Sequence, residues 1–154
     1  MGIKKARTSS DNPDFIHLVE YLDAYLAVVD GKDHAFYAQF NKTGVLKHVI
    51  VSYENGEPVG CGALKEFAPN IMEVKRMYTS PAHRGKGIAS RVLSELESWA
   101  AELGCTKCVL ETGKRQPEAI ALYKKCGYTS IPNYGQYAEV GNSVCFEKEI
   151  IRPF

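Results

Sequence analysis

Arg84, Gly85, Lys86 and Gly87 stand directly ahead of an apolar-periodic run, and residues of those types in that order can bind an anion. Glycine lets a backbone approach a ligand closely, the first N–H groups of a helix lack partners within it, and the two basic side chains add charge. The expected anion site is built from Arg84, Gly85, Lys86, Gly87, Ile88, Ala89 and Ser90. It is not a P-loop, because the GxxxxGK[ST] spacing is missing. A glycine-rich loop carrying solvated basic residues would have the same composition, so the surroundings must decide.

The thiols offer a second chemistry. The chain has 5 cysteines, and only Cys105 and Cys108 are suggestively spaced. A redox CxxC belongs at a helix start, where the dipole lowers a thiol pKa, whereas Gly104 and the apolar residues after Cys108 read as a helix end running into a strand. A zinc site would need two more nearby ligands, and the nearest histidine is His83. Five is also an odd number for a disulfide framework. The cysteines are therefore expected to be reduced, structural and without a metal.

These residues need elements to hold them. Asn12 and Pro13 open a helix with Phe15, Leu18, Leu22 and Leu26 at helical spacing, closed by Gly31, and residues 34–40 form a short second helix that ends before residues 41–44. Residues 49–53 and 59–64 read as strands joined by the hairpin dipeptide Asn55-Gly56, and residues 71–78 as a third strand after the Pro69-Asn70 turn. The first half is thus a helical start followed by an antiparallel meander. Residues 87–103 then form an amphipathic helix with Ala89, Val92, Leu93, Leu96, Trp99, Ala100 and Leu103 on one face. A strand at 107–111 follows, so that strand, helix and strand make one crossover unit with parallel strands. Gln116-Pro117 opens a last helix, and residues 144–150 form the closing strand.

Length and composition bound the rest. The 154 residues are 45% hydrophobic and 24% charged, as expected of one globular domain spanning residues 1–154. A net charge of +1 excludes a generally basic nucleic-acid binder. No apolar run approaches the roughly 18 residues of a membrane span, and no apolar stretch follows the basic residues at the start, so a cytoplasmic protein with no membrane or nucleic-acid partner is expected. A dinucleotide fold is disfavoured by Ser90 at the third glycine position, by Glu73, Lys75 and Arg76 in the preceding strand, and by the single crossover unit.

The motif Arg84-x-x-Gly87-x-Ala89 resembles the (Gln/Arg)-x-x-Gly-x-(Gly/Ala) signature of the GNAT superfamily of N-acetyltransferases. Residues 73–79 look like that family's fourth strand, residues 119–128 look like its last helix and the start of the strand after it, and the element order fits from Phe15 to Ile150. The resemblance implies an α/β fold with a mixed, mostly antiparallel central sheet flanked by helices. It also implies acetyl-CoA as donor, with its pyrophosphate on residues 84–90 and its pantetheine along a bulged strand at Met77 and Tyr78. Gln116 stands where many relatives place an asparagine before the last helix, and it is expected to contact the cofactor there.

The implied reaction is direct attack by a primary amine of a small molecule or peptide, without a covalent enzyme intermediate. A non-catalytic acyl-CoA sensor using the same loop is the alternative. Tyr123 matches the family's proton-donating tyrosine, although Ala119, Leu122 and Cys126 on the same face also permit a core tyrosine. Glu73 matches the strand glutamate that serves as base in many relatives. Its structural reading is an ion pair with Lys75 or Arg76, and Glu111 is a further candidate base. By position, the acceptor is expected among Tyr37, Lys114, Arg115, Tyr134 and Tyr137. Lys114 and Arg115 would favour an acceptor that also carries an anion. The oligomeric state is open, with a homodimer among the options.

Overall fold

The computed structural model describes residues 2–41 and 45–150, so the expected turn at 41–44 and the two ends of the expected domain lie partly outside the described residues. In chain order the elements are β1 (Ile3–Thr8), α1 (Pro13–Asp30), α2 (His34–Asn41), β2 (His48–Glu54), β3 (Glu57–Ala68), β4 (Ile71–Thr79), α3 (Ile88–Glu102), β5 (Lys107–Gly113), α4 (Pro117–Lys125), β6 (Thr129–Ile131) and β7 (Ser143–Glu149). Local signals account for most boundaries. The Asn12 side chain accepts from the N–H groups of Asp14 (2.8 Å) and Phe15 (3.2 Å), capping α1. Asn55 and Gly56 both take positive φ (52° and 85°), as the tight turn between β2 and β3 requires.

The strands form a seven-stranded sheet in the order β1-β2-β3-β4-β5-β7-β6. Among them β4 and β5 are the one parallel pair, joined by α3, which is the expected crossover. The expected mixed, mostly antiparallel sheet is thus present. On one face α1 buries Phe15 and Leu18 against Val49, Val51, Cys61 and Ala63. On the other, Val92, Leu93 and Leu96 of α3 and Tyr123 of α4 pack over Ile50, Leu64, Val74 and Leu110.

Two readings are corrected. The chain does not start with a helix: β1 precedes α1 and pairs with β2 at the sheet edge. Its residues Ile-Lys-Lys-Ala-Arg-Thr carry no apolar alternation because an edge strand is mostly exposed, and Arg7 instead reaches Glu102 of α3 at 2.7 Å. Leu103 lies beyond α3 and is 46% exposed, outside the buried face. The strand expected after the last helix is the short β6, which pairs with β7.

Two irregularities shape the centre. The β3–β4 register steps from Cys61 opposite Tyr78 to Ala63 opposite Lys75, so β4 holds one extra residue, and Arg76 sits at φ 57°. This bulge breaks the strand alternation: Arg76 reaches Asp23 on α1, whereas Met77 packs on the α3 side. In addition, β4 pairs with β5 only from Ile71 to Glu73, opposite Lys107 to Val109. Beyond that point β4 stays with β3 and β5 stays with β7, and the two strands part.

Candidate active site

A cleft of about 730 Å³ opens where β4 and β5 part, bounded by α1, the start of α3 and α4. Of the residues expected to hold a donor, Met77, Tyr78, Arg84, Gly85, Gly87 and residues 88–90 line it, as does Gln116. Gly87 occupies the N-cap position of α3 in a left-handed conformation (φ 78°), and no side chain caps the helix. The N–H groups of the first turn are therefore left for a ligand, and nothing lies within 4 Å of where a Cβ on Gly85 or Gly87 would stand. Arg84 reaches the Thr79 carbonyl through Nε (3.3 Å) and lies over the Tyr25 ring. This fits an anion such as a pyrophosphate.

Lys86 does not line the cleft. Its ammonium is held by Glu54 at 3.1 Å, and His83 Nε2 approaches the same carboxylate at 3.1 Å. His83, Leu22 and Tyr25 line the cleft without having been expected there, since only the packing of α1 over the sheet brings the last two near.

A second, smaller pocket of about 120 Å³ abuts the first, and Leu22, Met77, Gln116, Ala119 and Tyr123 line both. Its polar lining includes Asp30, Glu73, Lys75, Arg76, Glu111 and Tyr37. Tyr123 is 7% exposed and packs against Tyr128 and Phe146, so it is a core residue as well as a site residue. Its hydroxyl has no hydrogen-bond partner among the described residues. Burial first, and then the Glu111 carboxylate, push its pKa well above the ordinary value, so it stays protonated near neutral pH.

Glu73 is buried and already engaged: Tyr134 donates to Oε2 at 2.7 Å, and Lys75 Nζ lies 3.6 Å from Oε1. Arg76, the other expected partner, pairs with Asp23 instead. Glu111 differs. Burial pushes its carboxyl up to about 7, against the lowering effect of a hydrogen bond from Ser143 and of Lys75. Asp30, which the sequence did not single out, is also raised by burial.

Tyr37 and Tyr137 line the pocket, with their rings stacked at 6.3 Å, and the Tyr37 hydroxyl bonds with that of Ser143 at 2.8 Å. Tyr134 supports the pocket from behind through Glu73. Lys114 and Arg115 line neither cavity: Arg115 donates to the Asp30 carbonyl (2.8 Å) and to Asp33 (3.1 Å). Cys105 and Cys108 lie where a helix end runs into β5, and burial pushes the Cys61 and Cys108 thiols up to about 12, far from nucleophilic at neutral pH.

A cleft lined by the start of α3 and by Arg84 thus shares a wall with a small pocket lined by charged groups. The comparisons give the class. The chain belongs to the acetyltransferase (GNAT) family, whose model matches residues 14–128, and it is an acyltransferase. It is 32% identical over 148 residues to the IAA acetyltransferase of Azospirillum brasilense, covering 94% of this chain and 96% of that one. Among solved structures, one from Klebsiella pneumoniae, described as an acyl-CoA N-acyltransferase, superposes with a TM-score of 0.81 at 29% identity, covering 97% and 98% of the two chains. The fold is also shared by the PaiA N-acetyltransferase of Thermoplasma acidophilum in complex with coenzyme A, with a TM-score of 0.69 at 18% identity over 97% of this chain and 99% of that one.

Proposed function

We propose that this protein moves the acetyl group of acetyl-CoA to a primary amine of a small molecule or peptide by direct attack. The observation that carries the reading is the shared wall: Met77 and Tyr123 line both the anion-binding cleft and the small pocket. Bound in the cleft, acetyl-CoA supplies a reactive thioester. Arg84 and the unpaired N–H groups at the start of α3 hold the pyrophosphate. The backbone of β4 beyond Glu73, which has no partner strand on its β5 side, is available to hydrogen-bond the pantetheine arm and orient the carbonyl.

The residues of the small pocket handle the proton. An alkyl ammonium has a pKa of about 10 and must lose a proton before it can attack. Glu111 serves as the base, because a carboxyl raised by burial to about 7 can both take up and release a proton near neutral pH, while the oxygens of Glu73 are already engaged by Tyr134 and Lys75. Glu111 first takes a proton from the ammonium; as the N–C bond then forms and the C–S bond breaks, Tyr123 gives its proton to the departing sulfur and regains the second nitrogen proton, and Glu111 releases its own to solvent. Thiol release from acetyl-CoA across a panel of amines tests the reading. Amine-dependent release is expected, whereas CoA binding with no release under any amine would identify an acyl-CoA sensor.

A further inference from the structure

The small pocket carries charges of both signs whose hydrogen-bonding capacity the described residues only partly fill. The Lys75 side chain is 11% exposed, yet among the described residues its ammonium has one ion-pair partner, Glu73 at 3.6 Å, beside the face of Tyr137 at 5.9 Å from the ring centroid and the more distant charge of Glu111. An ammonium has three donors, and a buried charge is costly unless it is hydrogen-bonded. Glu73 is a poor remedy, since it already accepts from Tyr134 at 2.7 Å. Asp30 is 4% exposed, and Arg115 bonds its main-chain oxygen (2.8 Å) while giving its side-chain contact to Asp33. The Asp30 carboxylate has no hydrogen-bond donor among the described residues, and Glu111 shares the same lining.

Building on the acetyl-transfer reading, we infer that the acceptor is a small zwitterion, an amine that also bears a carboxylate. Lys75 holds the carboxylate, and Asp30 with Glu111 receives the ammonium. Glu73 and Lys75 stand two residues apart on β4, which turns both side chains to the same side of the strand, and both line the pocket. The volume of about 120 Å³ suits an acceptor of few atoms. Lys114 and Arg115, the cations nearest this helix start in sequence, are not the anion holders.

The test compares kcat/KM for amino acids with that for their decarboxylated amines and methyl esters of equal chain length. Amino acids are expected to lead by about tenfold or more, chiefly through KM, the scale of one hydrogen bond to a charged group. Lys75→Gln should shrink that lead to about twofold and Lys75→Arg should restore most of it, with CoA titration and thermal melting confirming that each variant is folded. Equal or better use of the decarboxylated amines by the parent protein overturns the inference alone, whatever the variants do. Acetylation of no amine by protein that binds CoA overturns the transfer reading and this inference with it.

Discussion

At Tyr123 two demands meet that the sequence could not separate. The side chain is packed among aromatic rings as a core residue, and its hydroxyl is left without a protein partner on the wall between the two cavities. Tyr123→Phe keeps the packing and removes the proton, so turnover should fall by roughly 10²-fold or more while calorimetric CoA affinity stays close to the parent's. Glu111 sets the pH response. With its carboxyl at about 7, kcat/KM should climb as pH rises through neutrality, and Glu111→Gln should lower the rate and remove that limb of the pH profile. The same shift acts on stability with the opposite sign. A carboxyl raised from about 4.3 in the unfolded chain contributes stability that is fully present below that value and is lost as pH rises through about 7. Thermal melts of Glu111→Gln should therefore decline less than the parent's across that window.

The loop entering α3 and the bulged β4 are the elements that make the cleft. Because Gly87 holds φ 78° at the helix start, Gly87→Val should strain the backbone and place methyl groups where a ligand phosphate would approach. Arg84→Ala should weaken CoA binding, and Lys86→Ala should do so by much less, since the Lys86 ammonium is committed to Glu54. Calorimetric titration with CoA separates the three, and equal losses for Arg84 and Lys86 would contradict the geometry. The motif residues were legible in the sequence because a helix start is a local pattern. The diversion of Lys86 was not, because Glu54 lies 32 residues away along the chain.

At the scale of the molecule, the larger cleft is assembled from both layers: Leu22 and Tyr25 come from α1 on one face of the sheet, and Leu122 and Tyr123 from α4 on the other. A ligand seated there ties the layers together and binds only the folded state. CoA at 100 times its Kd should therefore raise unfolding free energy by about 2.7 kcal/mol, read as a concentration-dependent rise in Tm. A Tm indifferent to CoA would mean that the cleft does not bind it. The edge strand β1 belongs to the same scale, because its arginine meets Glu102 across 95 residues of chain.

By itself the sequence determined what depends on near neighbours: the Asn12 cap, the Asn55-Gly56 hairpin, the apolar stripe of α3, and the glycine and arginine pattern that marks the family. Propensity, turn chemistry and helical period act over a few residues, so they can be read in one dimension. Only the tertiary structure decided which charges line the small pocket. The raised carboxyl of Glu111 comes chiefly from burial, the diversion of Arg76 to Asp23 from a bulge that no residue type announces, and the loss of Arg115 to Asp33 from a contact spanning 82 residues. Desolvation and pairing depend on what surrounds a group in space. Folding therefore decided which of the candidate acids and bases line the small pocket.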